Sequence, residues 1–241
     1  MKISGLIITI LFFSSTAFPQ GRGLITKFSI GETSFYGSAG LNKMSGDIGG
    51  DNFKSLLQND LGYGLSFGAR YTFRYNIGLR LFADYSKYRG RDKEQYNEYN
   101  GILRNNNFQT DVFGIGGQLE VILFGNSLAK DPIPHSVYLL AGVKKNYVNA
   151  TVTYPYLNRD STKSPKPFAH FFGIGYQYRF SNYLSFGVEA KQFYFHSDIV
   201  DGYYRNIPAN KHDDTAFDVK LTVAYYIPDR NRLNSYNRRW E

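Results

Sequence analysis

The chain has 241 residues, which is enough for one or two domains. It contains no cysteine, so disulfides, thiolate metal sites and a lipid anchor on cysteine are excluded. The formal net charge is +8, and the chain is rich in aromatic residues and glycine, with 21 Tyr, 20 Phe and 24 Gly. We attribute the basic charge to contact with anionic lipid headgroups or a protein partner rather than with nucleic acid.

The first residues have the pattern of a secretory signal peptide. Lys2 supplies the positive charge, 3–13 is a short apolar run, and small residues at 15–17 suit a signal peptidase. The apolar run is too short for a transmembrane helix. We therefore predict a signal peptide over 1–20 and export from the cytoplasm.

A long stretch of strict alternation follows further along the chain. Every second residue from Leu61 to Tyr75 is apolar or aromatic, and the positions between them carry Gly, Ser, Arg and Thr. A period of two predicts a β-strand with one apolar and one polar face. The run is long for a soluble strand but suits a tilted strand that crosses an outer membrane and extends beyond it.

The same alternation recurs and predicts eight strands. They lie at about 33–44, 61–75, 77–87, 109–124, 136–149, 168–180, 183–196 and 214–226. Short connections follow the second and sixth strands, a medium one follows the fourth, and long ones follow the first, third, fifth and seventh. An up-and-down order places all long loops at one end, as in outer-membrane barrels with short periplasmic turns and long extracellular loops.

The polar face of these strands distinguishes a membrane barrel from a soluble one such as a lipocalin. It is rich in glycine and carries charges of both signs, which suits the narrow, filled interior of an eight-stranded barrel. The predicted interior charges are Arg70, Arg80, Asp84, Glu120, Lys144, Arg179, Glu189, Lys191, Asp218 and Lys220. We therefore predict an all-β fold, an eight-stranded antiparallel transmembrane barrel over 33–227, with no useful channel.

The segments that flank the barrel are assigned to the periplasm, together with both termini. They are an N-terminal segment at 21–32 and a basic tail at 228–241, which begins where Pro228 ends the last strand. Arginine and aromatic residues are frequent at interface hot spots. The candidate partner-binding residues are Arg230, Arg232, Tyr236, Arg238, Arg239 and Trp240, and a disordered basic stub is the equal alternative.

The sequence predicts no catalytic residue, cofactor or metal ion. His196, Ser197 and Asp198 are adjacent, but neighbouring strand residues point to opposite faces, so they do not form a catalytic set without a bend. The run 212–214 (HDD) is a weak metal candidate that is better explained as a polar loop. We therefore expect a protein that is not an enzyme.

Several short motifs resemble the PorG-like barrels, the outer-membrane component of the type IX secretion system. They are 42–49 (NKMSGDIG), 64–75, 88–92 (YRGRD), 104–111 (RNNNFQTD), Glu120 and 195–204 (FHSDIVDGYY). The chain departs from the family pattern at 199–200 and at Gly202, which interrupts an acidic pair. The resemblance covers most of the mature chain and implies a barrel of the small outer-membrane superfamily.

This resemblance implies a partner class that periodicity alone does not supply. Family members are thought to tether a periplasmic ring lipoprotein and ring subunits to the outer membrane. The implied contact surfaces here are the tail at 228–241, the turn at 125–135 and the segment at 21–31. Two alternatives stay open: a surface barrel whose long loops bind host, cell or lipopolysaccharide ligands, and an enzyme at the barrel rim.

Overall fold

The computed structural model describes residues 31–45, 61–73, 76–91, 95–96, 103–104, 106–124, 135–154, 159–181, 183–197, 200–201 and 214–227. The predicted signal peptide, nearly all of the N-terminal segment and the tail at 228–241 lie outside these residues. Among the described residues, no helix is long and apolar enough to cross a membrane.

The described chain is built from β-strands. They are β1 (Glu32–Ser45), β2 (Gly62–Thr72), β3 (Ile77–Arg91), β4 (Gln95–Tyr96), β5 (Leu103–Arg104), β6 (Asn107–Phe124), β7 (His135–Tyr154), β8 (Arg159–Lys163), β9 (Phe168–Arg179), β10 (Leu184–Phe195) and β11 (Thr215–Tyr226). Eight of these strands form the barrel wall, while β4 and β5 pair only with each other and β8 pairs with the end of β7.

The sheet closes on itself. The wall runs in the order β6, β3, β2, β1, β11, β10, β9, β7, and the pairing of β6 with β7 joins the two ends. Every pairing is antiparallel, and β1 closes against β11 over the register from Ser34↔Tyr226 to Ser45↔Thr215. Closure satisfies the backbone groups that an open sheet would expose, which a lipid environment requires. The predicted fold class, an eight-stranded antiparallel barrel, is confirmed.

The distribution of side chains is inverted relative to a soluble protein. On β11, Val219, Leu221 and Val223 are 40%, 71% and 45% exposed, while the charged Asp218 and Lys220 between them are buried. The other wall strands alternate in the same way, with apolar side chains outside and polar ones inside. Water would not tolerate this continuous apolar exterior, so the barrel spans a membrane.

Two short connections lie at the same end of the barrel, here called the short-turn end. Asn76 joins β2 to β3 with a φ of 61°, a left-handed conformation that asparagine tolerates better than most residues. Between β9 and β10, the Ser181 hydroxyl accepts hydrogen bonds from the N–H groups of Tyr183 and Leu184, at 3.2 and 3.1 Å. The long connections lie at the opposite, long-loop end.

The strands at the long-loop end extend further than the sequence predicts. β3 continues to Arg91, and β7 continues to Tyr154 and turns back as β8, inside a stretch predicted as a loop at 150–167. The prediction was wrong there because strict alternation stops beyond the membrane, where both faces of a hairpin can be polar. The ladder itself persists, since β8 pairs with β7 from Ala150↔Lys163 to Tyr154↔Arg159.

Candidate functional site

The centre of the barrel is filled by a network of ion pairs. The Arg80 guanidinium contacts the carboxylates of both Glu120 and Glu189, which approach it from β6 and β10. Arg70 Nε lies 2.7 Å from Glu120 Oε2, and Lys191 Nζ lies 2.8 Å from Glu189 Oε2. Each carboxylate therefore has two cationic partners, which offsets the cost of burying these charges.

Two tyrosines line the cavity around Arg80. The guanidinium carbon lies 4.7 Å from the ring centroid of Tyr36 and 5.3 Å from that of Tyr138. The Tyr138 hydroxyl donates a hydrogen bond of 2.9 Å to Glu189 Oε1. The two rings hold the cation by cation–π contacts and fill the space between the ion pairs and the wall.

A second group of ion pairs lies nearer the long-loop end. Lys144 Nζ is 2.9 Å from Asp84 Oδ2, and both side chains are almost fully buried. Lys220 Nζ is 3.0 Å from Asp218 Oδ2 and donates to the Ser66 hydroxyl at 3.0 Å. The Lys144–Asp84 pair links β7 to β3, and the Lys220–Ser66 bond links β11 to β2, each across one intervening strand.

The short-turn end is closed by a bidentate pair. Arg179 NH1 and NH2 donate to the two carboxylate oxygens of Glu32, at 2.9 and 2.6 Å. The guanidinium carbon of Arg179 lies 4.0 Å from the ring centroid of Tyr226. Above this level, Arg70 donates to Gln177 Oε1 at 2.7 Å, which links the end pair to the central network.

At the long-loop end, the described residues Val200 and Asp201 are buried inside the barrel. Val200 is fully buried and packs in one cluster with the aromatic side chains of the upper barrel. Its carbonyl accepts a hydrogen bond from Thr110 Oγ1 at 2.9 Å, and its N–H donates to Asp214 Oδ2 at 2.7 Å. Part of the segment that resembles the type IX family therefore caps the barrel.

The sequence-predicted interior charges are placed as follows. Nine of them are buried: Arg70, Arg80, Asp84, Glu120, Lys144, Glu189, Lys191, Asp218 and Lys220. The tenth, Arg179, is partly buried at the short-turn end, with a side chain 16% exposed. The candidate partner-binding residues Arg230, Arg232, Tyr236, Arg238, Arg239 and Trp240 all lie in the tail, outside the described residues.

Sequence reasoning missed several residues that complete the interior. Tyr36 and Tyr138 occupy polar-face positions of their strands, and Asp214 precedes β11. For Tyr36, the signal was available, because it alternates in phase with Ser34 and Ser38, which are also buried. An aromatic residue in phase with the polar positions of a barrel strand indicates a side chain that fills the interior.

The histidines do not form a catalytic set within the part of the chain that the structure describes. His170 Nδ1 and His196 Nε2 are 3.0 Å apart on the outer face, and His135 Nδ1 is 2.5 Å from the Tyr176 hydroxyl. No cluster of three or more His, Cys, Asp or Glu side chains that could hold a metal occurs among the described residues. The Asp214 carboxylate holds the N–H groups of Val200 and Asp201.

A closed antiparallel barrel with an apolar exterior and a packed, charged interior belongs to the class of transmembrane β-barrels. No protein-family model matches the chain, and no curated protein matches its sequence. A major outer membrane protein from Thermus thermophilus shares the fold with a TM-score of 0.51 and 13% identity, over 82% of this chain and 99% of that one.

Two further solved structures are similar over most of their length. The Neisserial surface protein A matches with a TM-score of 0.49 and 15% identity, over 80% of this chain and 96% of that one. The attachment invasion locus protein Ail of Yersinia pestis matches with a TM-score of 0.43 and 14% identity, over 82% and 99%. At 13% identity, the match to the Thermus thermophilus protein supports the barrel fold alone and no shared activity.

Proposed function

We propose that this protein is a non-enzymatic barrel of the bacterial outer membrane that anchors a periplasmic complex, the type IX protein-secretion and gliding machinery. The observation that carries the proposal is the filled interior. A barrel whose cross-section is occupied by the Arg80 network acts through its outer surfaces, not as a conduit.

Two further observations support a scaffold rather than an enzyme or a porin. The nine buried interior charges named above are engaged in ion pairs with one another, as in the Lys144–Asp84 pair. The motifs that resemble PorG-like barrels extend along the chain, and the segment around Val200 is built into the barrel cap. The resemblance supplies the partner class: a periplasmic ring lipoprotein and its ring subunits.

The first experiment is a deletion strain complemented from a plasmid, with the secretome as the readout. If the proposal is right, cargo proteins that carry type IX signals accumulate in the periplasm, and the plasmid restores their secretion. Normal secretion in the deletion strain contradicts the proposal and favours the alternative, a surface barrel whose long loops bind external ligands. Membrane fractionation of the tagged protein tests the outer-membrane location separately.

A second experiment tests the basic tail as the docking segment. Removal of 228–241 should abolish co-purification of the ring lipoprotein, because the arginine and aromatic side chains there supply the contact. The matched variant replaces Arg230, Arg232, Arg238 and Arg239 with glutamine and keeps the length of the tail. Co-purification that survives both changes, with the barrel folded, shows that the tail is not the docking segment.

A further inference from the structure

Among the described residues, the lysine and arginine side chains of the barrel exterior lie at the long-loop end. At the short-turn end, the described outward positions carry aromatic or uncharged side chains, such as Tyr71, Tyr178 and Tyr225. At the long-loop end, cationic side chains appear on the outer face of several strands. The outer surface therefore differs between the two ends of the barrel, which the alternation pattern alone does not predict.

One group of these cations lies at the ends of β7 and β9, around an exposed aromatic ring. Lys145 Nζ lies 4.1 Å from the ring centroid of Phe168, and it donates a hydrogen bond of 2.5 Å to the Lys166 carbonyl. Lys166 Nζ lies 5.9 Å from the ring centroid of Tyr147. On the other side of Phe168, the His196 backbone N–H donates to the Phe168 carbonyl at 2.9 Å, which places the two residues next to each other on neighbouring strands. We call Lys145, Tyr147, Lys166, Phe168 and His196 the rim site.

The rim site lies at the level where the apolar exterior ends. The outward side chains of β7 are apolar from Val137 to Val143, and beyond Tyr147 they are polar. At about 3.3 Å per residue, Lys145 is roughly 26 Å along the strand from Val137, or about 20 Å along the axis of a barrel with strands tilted by about 40°. That distance matches the apolar band of a membrane barrel, so the two lysines lie at the level of lipid headgroups.

We propose that the rim site binds the phosphate groups of lipopolysaccharide in the outer leaflet and orients the barrel with its long loops outward. This rests on the outer-membrane location in the proposed function. Among the described contacts, the Lys145 ammonium uses one of its three N–H donors, and two remain for a phosphate. The exposed Lys166 ammonium adds further donors, while Phe168 and Tyr147 pack against acyl chains. His196 offers at most its Nδ1, because its Nε2 lies 3.0 Å from His170 Nδ1.

Lipopolysaccharide is favoured over phospholipid by the spread of the cations. Three cationic or ionisable groups flank a single ring, which suits a headgroup with more than one phosphate better than a headgroup with one. The rim site also lies at the end with long connections, which is the extracellular end in barrels of this type. The experiment must therefore distinguish lipopolysaccharide binding from phospholipid binding.

The test uses the purified, folded chain in detergent micelles and native mass spectrometry. We expect bound bisphosphorylated lipid A on the unaltered protein, and affinity at least about tenfold weaker for K145Q/K166Q, because charge-assisted hydrogen bonds are lost. The matched control is K43Q/R89Q, which removes two outward cations from β1 and β3 at the same end, on the side of the ring opposite β9. The control should bind within about threefold of the unaltered protein, and K145R/K166R should retain binding.

Three results would overturn the proposal. Equal weakening in the control indicates diffuse charge attraction, equal binding of dephosphorylated lipid A removes the role of phosphate, and equal binding of phosphatidylglycerol identifies the ligand as phospholipid. Circular dichroism confirms that each variant keeps its β-structure. The assay does not depend on secretion, so the rim site can stand when the anchoring role fails, and the reverse also holds.

Discussion

At the scale of single residues, stability depends on charges that cannot be hydrated. Lys144 and Asp84 form a pair in the interior, with side chains 0% and 3% exposed. The Lys144 ammonium also lies 4.2 Å from the ring centroid of Phe193. A buried pair of this kind contributes little relative to two apolar residues, but the loss of one member leaves an uncompensated charge.

This pair makes a clear prediction. Lys144→Met should lower the free energy of unfolding by about 3–5 kcal/mol, because Asp84 keeps a buried charge without its partner. Lys144→Met combined with Asp84→Asn should lose less than the single variant. Urea unfolding in lipid vesicles measures both, with Arg91→Met as the control, since Arg91 is exposed and bonds only Asn107 among the described hydrogen bonds. A double variant less stable than the single one contradicts this account.

At the scale of elements, the interior depends on glycines that make room for large side chains on the next strand. Gly175 on β9 pairs with Tyr138 on β7, and a Cβ atom at Gly175 would overlap the Tyr138 ring. Gly117 on β6 differs, because a Cβ atom there would meet its nearest neighbour at 3.7 Å. Of the two, only Gly175 leaves the space that the Tyr138 ring occupies beside the Arg80 network.

Gly175→Ala should therefore destabilise the barrel by about 1–3 kcal/mol, through displacement of Tyr138 from Glu189. Gly117→Ala is the matched control, and it should change stability by much less, since its methyl group fits in ordinary van der Waals contact. The measurement is again urea unfolding in vesicles. Equal losses at the two positions show that the glycines act through strand propensity, not through packing against Tyr138.

The turn between β2 and β3 provides a second prediction at this scale. Asn76→Val should cost about 1–2 kcal/mol, because a β-branched residue disfavours the left-handed conformation at φ 61°. Asn76→Gly should be close to neutral, since glycine adopts positive φ without a steric penalty. Stability that is unchanged in Asn76→Val contradicts the assignment of this turn.

At the scale of the whole molecule, side-chain contacts fill the described barrel at several heights along its axis. The Arg179–Glu32 pair occupies the short-turn end, the ion pairs of Arg80 and Lys144 fill the middle, and Val200 caps the long-loop end. The Arg80–Glu189 pair joins β3 to β10, which lie on opposite sides of the ring of wall strands, so it connects the wall across its diameter. The barrel is thus suited to carry load between the membrane and a partner.

We expect the purified protein to produce no large, stable conductance in planar lipid bilayers. The reason is that the interior holds side chains that would have to leave together, with their charges, before ions could pass. A known porin reconstituted in the same membranes provides the positive control. Long-lived open channels in the unaltered protein would contradict a filled interior and indicate a transport function instead.

The sequence by itself determined the strands and the face that each side chain occupies. Alternation placed Arg80, Glu120 and Glu189 on polar faces because the pleat sends successive side chains to opposite sides. The stretch 150–167 was wrongly predicted as a long loop throughout, because the end of β7 and β8 follow no apolar period. Whether a segment forms a strand depends on its own residues. The strands can therefore be predicted wherever they cross the membrane, because one face must then be apolar.

Only the tertiary structure decided which of these residues meet. Arg80 and Glu189 are 109 positions apart and come together because the ring closes and the shear sets the height of each strand. The same closure brings Val200 to Thr110 and places Lys145, Phe168 and His196 side by side on the outer face. Register and closure depend on pairing energies summed over the whole barrel, and no single segment of the sequence contains that sum.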